Sequence, residues 1–314
     1  MNIPLNIDTA EGLYLSDSGK ELLKLAAYAR KAASGTSVDL CAIVNAGAGG
    51  CSEDCAFCAQ SMHYHTDAGD KCELNTEEIL SYARKVERYG VKRFSLVTTG
   101  KGVNDAELEG YLAVYRMLKE KTGLNLCASH GIINARQAIR LKESGVTRYH
   151  HNLETGERYF PRICTTHTYR ERLDTIRIVK AAGLEICSGG IIGLGESIRD
   201  RLELAFSLKQ LQVKSIPINI LMPVQGTPLE NNGILSSADL IKTAALFRII
   251  NPEAVIRFAG GRTLFDTPAQ VDSLKYGFDG IMVGNYLTRK GREIESDIAN
   301  LTKNGFSIVA YSVQ

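Results

Sequence analysis

Net charge is almost absent from the 314-residue sequence: 37 lysines and arginines face 35 aspartates and glutamates, leaving +2. A nucleic-acid-binding chain concentrates positive charge on one face, and this balance offers no such footprint. No apolar run approaches the roughly 20 residues that a membrane-spanning helix needs. The first twelve residues, MNIPLNIDTAEG, lack both the basic start and the apolar stretch of a secretory leader. Disorder is excluded from the other side. A chain with 44% apolar and 23% charged residues is ordinary for a folded protein, whereas disordered chains are poorer in apolar residues and more highly charged. A cytoplasmic protein that binds neither nucleic acid nor membrane is expected. Disulfides are rare in that setting, so the eight cysteines are structural, reactive or metal-binding, and their placement decides.

A leading helix is expected near residues 18–34. After it, apolar β-rich runs alternate with amphipathic helical stretches. The strands are expected at 38–44, 93–98, 124–128, 147–153, 184–188, 215–221, 254–258 and 279–283, each apolar enough to be covered on both faces as parallel strands are. The helices carry start and stop signals. Asn75 precedes an acidic turn of Glu77 and Glu78; Ile79, Leu80, Ala83 and Val86 follow at helical spacing, and Gly90 ends the run. Asn104 with Glu107 reads as a capping box, and Ser236 with Asp239 as a looser one. Further helices are expected at 134–144, 168–182, 197–212 and 237–250. Alternation of this kind predicts a parallel α/β fold, and eight units predict a (β/α)8 TIM-type barrel, with a doubly wound open sheet as the rival. Residues 1–35 form an N-terminal helical extension and residues 36–314 the barrel with its C-terminal cap, one domain overall. Working residues in a barrel lie at the C-terminal ends of strands.

The sharpest local signal, Cys51-Ser-Glu-Asp-Cys55-Ala-Phe-Cys58, falls in the loop after the first strand. Structural zinc sites use four ligands in paired knuckles, and no second knuckle follows. Ferredoxin-type runs supply four cysteines per cluster at other spacings. Three thiolates on a four-iron cluster leave one iron open, which implies chemistry at that iron. Gly47, Gly49 and Gly50 precede the triplet without the Gly-Lys-Ser/Thr ending of a phosphate loop, so a nucleotide triphosphatase is rejected.

The C-x3-C-x2-C spacing, with Phe57 before the last cysteine, resembles the signature of the radical S-adenosylmethionine superfamily. That resemblance implies a [4Fe–4S] cluster on Cys51, Cys55 and Cys58 whose open iron chelates S-adenosylmethionine, with one electron releasing a 5′-deoxyadenosyl radical. Phe57 then meets the adenine or simply packs. Gly189, Ile191, Gly193 and Glu196, after the fifth strand, resemble the superfamily's second cofactor motif.

Longer segments are similar to the biotin synthase family: Tyr149-His150-His151-Asn152-Leu153-Glu154-Thr155, Thr168 to Thr175, Cys187 to Glu196, Pro217-Ile218-Asn219, Gly226 to Leu229 and Ile256 to Arg262. Together they span about residues 20–310. The family implies radical insertion of sulfur into dethiobiotin, with an auxiliary iron–sulfur cluster as the sulfur source. Carried over, Arg172 holds the S-adenosylmethionine carboxylate, Asn152 and Glu154 lie near its ribose, and Asn219 with Asn152 binds the ureido ring. Glu154 stands in place of the family aspartate, and His150, on the substrate side, in place of an asparagine. A homodimer and a flavodoxin- or ferredoxin-type electron donor are further implications. Two readings compete. One is a related radical enzyme of the hydrogenase-maturation or pyrrolysine-pathway kind, and the other a non-catalytic iron–sulfur carrier.

The auxiliary site departs from the family pattern of three cysteines and an arginine around a [2Fe–2S] cluster. Cys127, Cys187 and Arg257 match it, but the remaining position is Ser95, and a hydroxyl is a poor iron ligand beside a thiol. Cys41 appears on the first strand, and neighbouring strands lie about 4.8 Å apart. Cys41 is therefore expected to substitute. Cys41, Cys127 and Cys187 then suit a four-iron cluster with an extra sulfide, Arg257 beside or on it, ahead of a rearranged [2Fe–2S]. Cys72, Cys164 and His130 are left without a functional role.

Overall fold

The computed structural model describes residues 5–16, 19–47, 49–67, 75–286 and 291–309. Cys72 lies outside them. The eight expected strands are all present: β1 (Ser37–Gly47), β2 (Arg93–Thr98), β3 (Asn125–Ser129), β4 (Val146–His150), β5 (Glu185–Cys187), β7 (Ser215–Ile220), β8 (Val255–Phe258) and β9 (Gly280–Val283). They pair in parallel in chain order, and β9 returns to pair with β1. The sheet therefore closes into a TIM-type barrel, and the open doubly wound alternative falls.

Helices α3 (Thr76–Arg88), α4 (Asp105–Lys121), α5 (Ala135–Glu143), α6 (Tyr169–Ala181), α7 (Ile198–Gln210), α8 (Ser237–Ile250), α9 (Thr267–Tyr276) and α10 (Ile294–Lys303) surround it. The start signals act as read. Asn75 accepts from the Glu78 N–H, and Asn104 and Glu107 cap each other's backbone. Two features were not anticipated at the N-terminus. There are two leading helices rather than one, α1 (Ile7–Leu15) and α2 (Lys20–Ser34), which pack on α7 and on α8 with α9. Asn6 and Thr9 form a capping box that starts α1. A short β10 (Ser307–Ile308) joins the foot of β1.

The fifth barrel position also differs from the expected strand and glycine turn. It resumes as β6 (Gly190–Ile192), in register with β7. The break at Ser188–Gly189 has a local cause in its neighbour. Pro217 carries no N–H to continue the ladder, and a Cβ on Gly189 would lie 1.9 Å from the Pro217 carbonyl oxygen.

The strand register sorts the inward side chains. Eight tilted strands with a shear of about 8 rise one residue per strand along a level ring, so each layer takes its residues from alternate strands. Starting at Cys41 and stepping up one residue at each pairing gives Cys127, Cys187, Arg257 and Cys41 again. The same walk puts Arg93, Arg148, Ser215 and Gly280 in the layer beneath. Ser95, His150, Pro217 and Met282 form the layer above.

Candidate active site

Above the arginine layer the barrel is hollow. A cavity of about 410 Å³ runs from Cys41, Cys127, Cys187 and Arg257 up to Phe57 and Cys58 at the mouth. Ser95 and Cys41 are not side-by-side alternatives. Cys41 has Arg93 as its ladder neighbour, while Ser95 faces Ile43 and Cys127. The thiol therefore sits one layer below the serine, level with the other two thiols. The Ser95 hydroxyl is buried without a hydrogen-bond partner.

Charge on this ring is compensated within the layer by Arg257 and from below by Arg148. Arg257 donates to Asp39 Oδ1 at 2.5 Å and to the Asp39 and Ile281 carbonyls. Gly280 leaves room for it, since a Cβ there would lie 3.0 Å from the guanidinium. Arg148 pairs with Glu185 at 2.6 Å. Burial pushes the Cys127 thiol up to about 12, against the pull of Arg148. Burial likewise raises Cys41, opposed by Arg257. Cys187 goes the other way, to about 6: burial raises it, but the charge and hydrogen bond of His150, at 3.4 Å, the charge of Arg148 and the Ser215 hydroxyl together outweigh that. Three thiols with one guanidinium level with them and two beneath make a donor set suited to a thiophilic, anionic centre.

At the mouth, the Cys51–Cys58 loop folds back on itself. The Cys51 N–H donates to the Gln60 carbonyl and the Cys58 N–H to that of Cys55. Asp54 accepts from the Thr165 and Thr166 N–H groups, tying this loop to the one after β4. Asn152 and Glu154 lie on the cavity wall just past the end of β4. Asn152 Oδ1 accepts from the Gly189 N–H and its Nδ2 donates to Glu154. Glu154 takes a left-handed conformation, φ 69°, uncommon for a residue other than glycine, asparagine or aspartate. Arg172 donates to the Asn152 carbonyl at 2.9 Å and stands 3.6 Å from Glu154. Asn219 accepts from the Gly260 N–H and donates to the Gly190 carbonyl.

Not every candidate reaches the cavity. Ile191 lines it, while Gly189 and Gly193 shape the adjoining backbone. Glu196 is turned away, its carboxylate accepting from the Gly193 N–H and from Arg201 at 2.6 Å. Asp39, Arg93, Arg148, Glu53 and His167 went unread in the sequence. Each is an isolated charged or ring side chain whose neighbours come from distant segments.

His130 is wholly buried, with Thr98 at 3.1 Å and Tyr115 at 2.9 Å on its two ring nitrogens. Burial lowers its pKa to about 3. An unfolded histidine takes up its proton near pH 6.5, so between these values the unfolded state binds more protons and stability falls as pH falls. This residue alone should cost about 2–3 kcal/mol between pH 7.5 and 4.5. Urea unfolding of the cluster-free chain is expected to show a flatter pH dependence in His130→Gln; parallel curves would refute the assignment.

Comparison with known proteins resolves the family. The family model of the Radical SAM superfamily matches residues 47–208, and that of the Biotin and Thiamin Synthesis associated domain residues 217–307. The chain is 54% identical to a biotin synthase of Pelotomaculum thermopropionicum, over 90% of this chain and 88% of that one. The chain belongs to the biotin synthase family. A biotin synthase of Clostridium tetani is 49% identical over 91% of the chain and 88% of its own length. One from Carboxydothermus hydrogenoformans is 46% identical over 96% and 95%. Like the rest of the family, the protein is a radical S-adenosylmethionine enzyme of the sulfurtransferase class.

Solved structures carry the fold alone. Methylornithine synthase superposes with a TM-score of 0.85 at 18% identity, over 98% of this chain and 95% of that one. The FeFe-hydrogenase maturase of Carboxydothermus hydrogenoformans gives 0.84 at 17%, over 97% and 76%. These are the enzyme classes that competed with biotin synthase in the sequence, and they share its barrel at low identity. Among the described residues no helix is long and apolar enough to cross a membrane.

Proposed function

We propose that this chain forms biotin from dethiobiotin by radical sulfur insertion, working as one barrel with its N-terminal extension and with two iron–sulfur clusters stacked along one cavity. The observation that carries this reading is the level ring of Cys41, Cys127, Cys187 and Arg257 beneath a cavity that opens at Phe57 and Cys58. Cys51, Cys55 and Cys58 would hold the [4Fe–4S] cluster that family membership implies. The lower ring would hold an auxiliary cluster, of four-iron type with an extra sulfide. When bound, these groups supply an electron to the sulfonium of S-adenosylmethionine and sulfur for the new carbon–sulfur bonds. A flavodoxin- or ferredoxin-type protein is the electron source, and the chain works as a homodimer.

The chain's own part is positioning. Arg172, fixed by the Asn152 carbonyl, presents charge for the cofactor's carboxylate. Asn152 and Asn219 already spend one donor and one acceptor each on the backbone or Glu154. The remaining N–H and lone pair of each amide match the C=O and N–H groups of a cyclic urea. Glu196 acts at a distance, by holding the Gly193 turn.

The test is anaerobic incubation with dethiobiotin, S-adenosylmethionine and a low-potential reductant. Biotin is the expected product, and its absence would refute the function. Iron and sulfide assays address the lower ring. Two four-iron clusters give about eight irons per chain, whereas about six would indicate a [2Fe–2S] centre.

A further inference from the structure

The function leaves Cys164 idle, yet this residue stands against one of the cluster cysteines. Two residues beyond the turn Phe160–Arg162, it brings its Sγ to 3.8 Å from Cys55 Sγ. Both thiols are free and buried. Each lies in irregular loop rather than in a strand or helix. Cys58, in the same loop as Cys55, lines the cavity, so the pair sits close under its mouth.

Hydrogen bonds on either side hold the two cysteines face to face. The Ala56 N–H donates to the Ile163 carbonyl at 2.8 Å. The Thr165 N–H donates to Asp54 Oδ1 at 2.9 Å. The first bond joins residues 56 and 163 and the second joins 54 and 165. The two segments therefore run antiparallel, with Cys55 opposite Cys164. Opposite Cα atoms of an antiparallel pair stand about 4.5–5.5 Å apart, and a disulfide spans Cα atoms about 4.4–6.8 Å apart. To bond, the sulfurs close from 3.8 Å to about 2.05 Å. That is about 0.9 Å for each, a distance that rotation about the Cα–Cβ bonds covers.

We propose that Cys55 and Cys164 form a redox modification site, closing to a reversible disulfide when the cluster-free chain meets a peroxide. The oxidant is little larger than water, which suits a buried pair. One consequence rests on the functional reading. Cys55 cannot hold iron while it is bonded to Cys164, so the disulfide and the upper cluster exclude each other. A dithiol then returns the chain to the form that accepts the cluster.

The chemistry takes two steps. The Cys164 sulfur attacks one peroxide oxygen and the oxygen–oxygen bond breaks, giving a sulfenic acid and water. The Cys55 sulfur then attacks the Cys164 sulfur, the sulfur–oxygen bond breaks, and a second water leaves with the remaining thiol proton. The two thiols together lose two electrons and the peroxide gains them. Cys164 takes the first step because its sulfur has proton-carrying neighbours, Thr166 Oγ1 at 3.6 Å and His167 Nδ1 at 3.2 Å. Cys55 takes the second because its sulfur already faces that of Cys164.

Hydrogen peroxide is the probe. The full chain, iron-free and reduced, is treated with one equivalent under nitrogen, its remaining thiols are alkylated, and the digest is read by mass spectrometry. A peptide pair joined through Cys55 and Cys164 is expected, with two of the eight thiols lost and both recovered on adding a dithiol. This map needs no variant, so folding of a mutant does not enter it. Reconstitution of the oxidised parent chain should fall short by about four irons until the dithiol is added. Cys164→Ser, or Cys164→Ala should the serine variant fold poorly, is expected to lose the cross-link and this reversible block. Cys55 joined instead to Cys51 or Cys58, or an unchanged block in both variants, would overturn the proposal. The cross-link map involves no iron, whereas biotin formation by the reduced and loaded parent chain tests the functional reading separately.

Discussion

Cys41→Ser is expected to lose roughly half of the iron taken up on reconstitution and to form no measurable biotin, while still cleaving S-adenosylmethionine. The substitution changes one atom in the wall of the cavity, so packing is nearly conserved. It removes a thiolate from a ring that has only three, and a hydroxyl does not replace it as an iron ligand. The upper loop, Cys51–Cys58, is untouched, so the cofactor is still bound and cut. Moving the thiol gives the sharper comparison. Cys41→Ser combined with Ser95→Cys restores three thiols, but the new one stands a layer higher, beside Ile43 rather than Arg93. That chain should recover about two irons at the lower site instead of four, matching the family pattern that places cysteine at this strand position. Full iron and full biotin formation in Cys41→Ser would show that this thiol is no ligand.

Much of this was legible in the sequence because it is local or periodic. The cysteine triplet fits within eight residues, Cys51 to Cys58. The strands announce themselves as apolar runs, and Asn104 with Glu107 caps a helix as their spacing of three says. What stayed hidden depends on tertiary geometry. That Cys41 lies level with Cys127 and below Ser95 follows from strand tilt, which no single segment encodes. Cys164 meets Cys55 across 109 residues of chain. Asp39 looks like any polar residue flanking a strand until Arg257, 218 positions away, reaches it. The split of the fifth strand is written in Pro217, on the neighbouring strand. The second leading helix was missed because only nine residues form it, and packing on α7 rather than periodicity holds it.

Arg257→Met is expected to destabilise the cluster-free chain by about 3–5 kcal/mol, the usual cost of stranding one partner of a buried ion pair. Arg257 and Asp39 are each only 3% exposed as side chains, and their contact is 2.5 Å. Arg93, the nearest other cation to this carboxylate, stands at 3.8 Å, too far for a hydrogen bond of full strength. Removing the guanidinium therefore takes the 2.5 Å ion-pair partner from a carboxylate in a low-dielectric cavity floor, and that lost charge compensation is what the variant measures. Arg257→Lys keeps the charge but loses the forked contacts to the Asp39 and Ile281 carbonyls, so it should recover only part of the loss. Asp39→Asn is the reciprocal variant and should cost a similar amount, because the buried cation is then the one left unpaired. Urea midpoints of the three reduced, iron-free proteins measure this without interference from cluster loss. The same geometry bears on how Arg257 meets the auxiliary centre. A guanidinium whose two terminal nitrogens are committed to Asp39 and Ile281 is held in its charged form, and a charged guanidinium has no lone pair to offer iron. Arg257 is thus expected beside the cluster as a counter-charge. If Asp39→Asn shifts the cluster's reduction potential while iron content stays constant, that role holds; if it removes iron, Arg257 was a ligand after all.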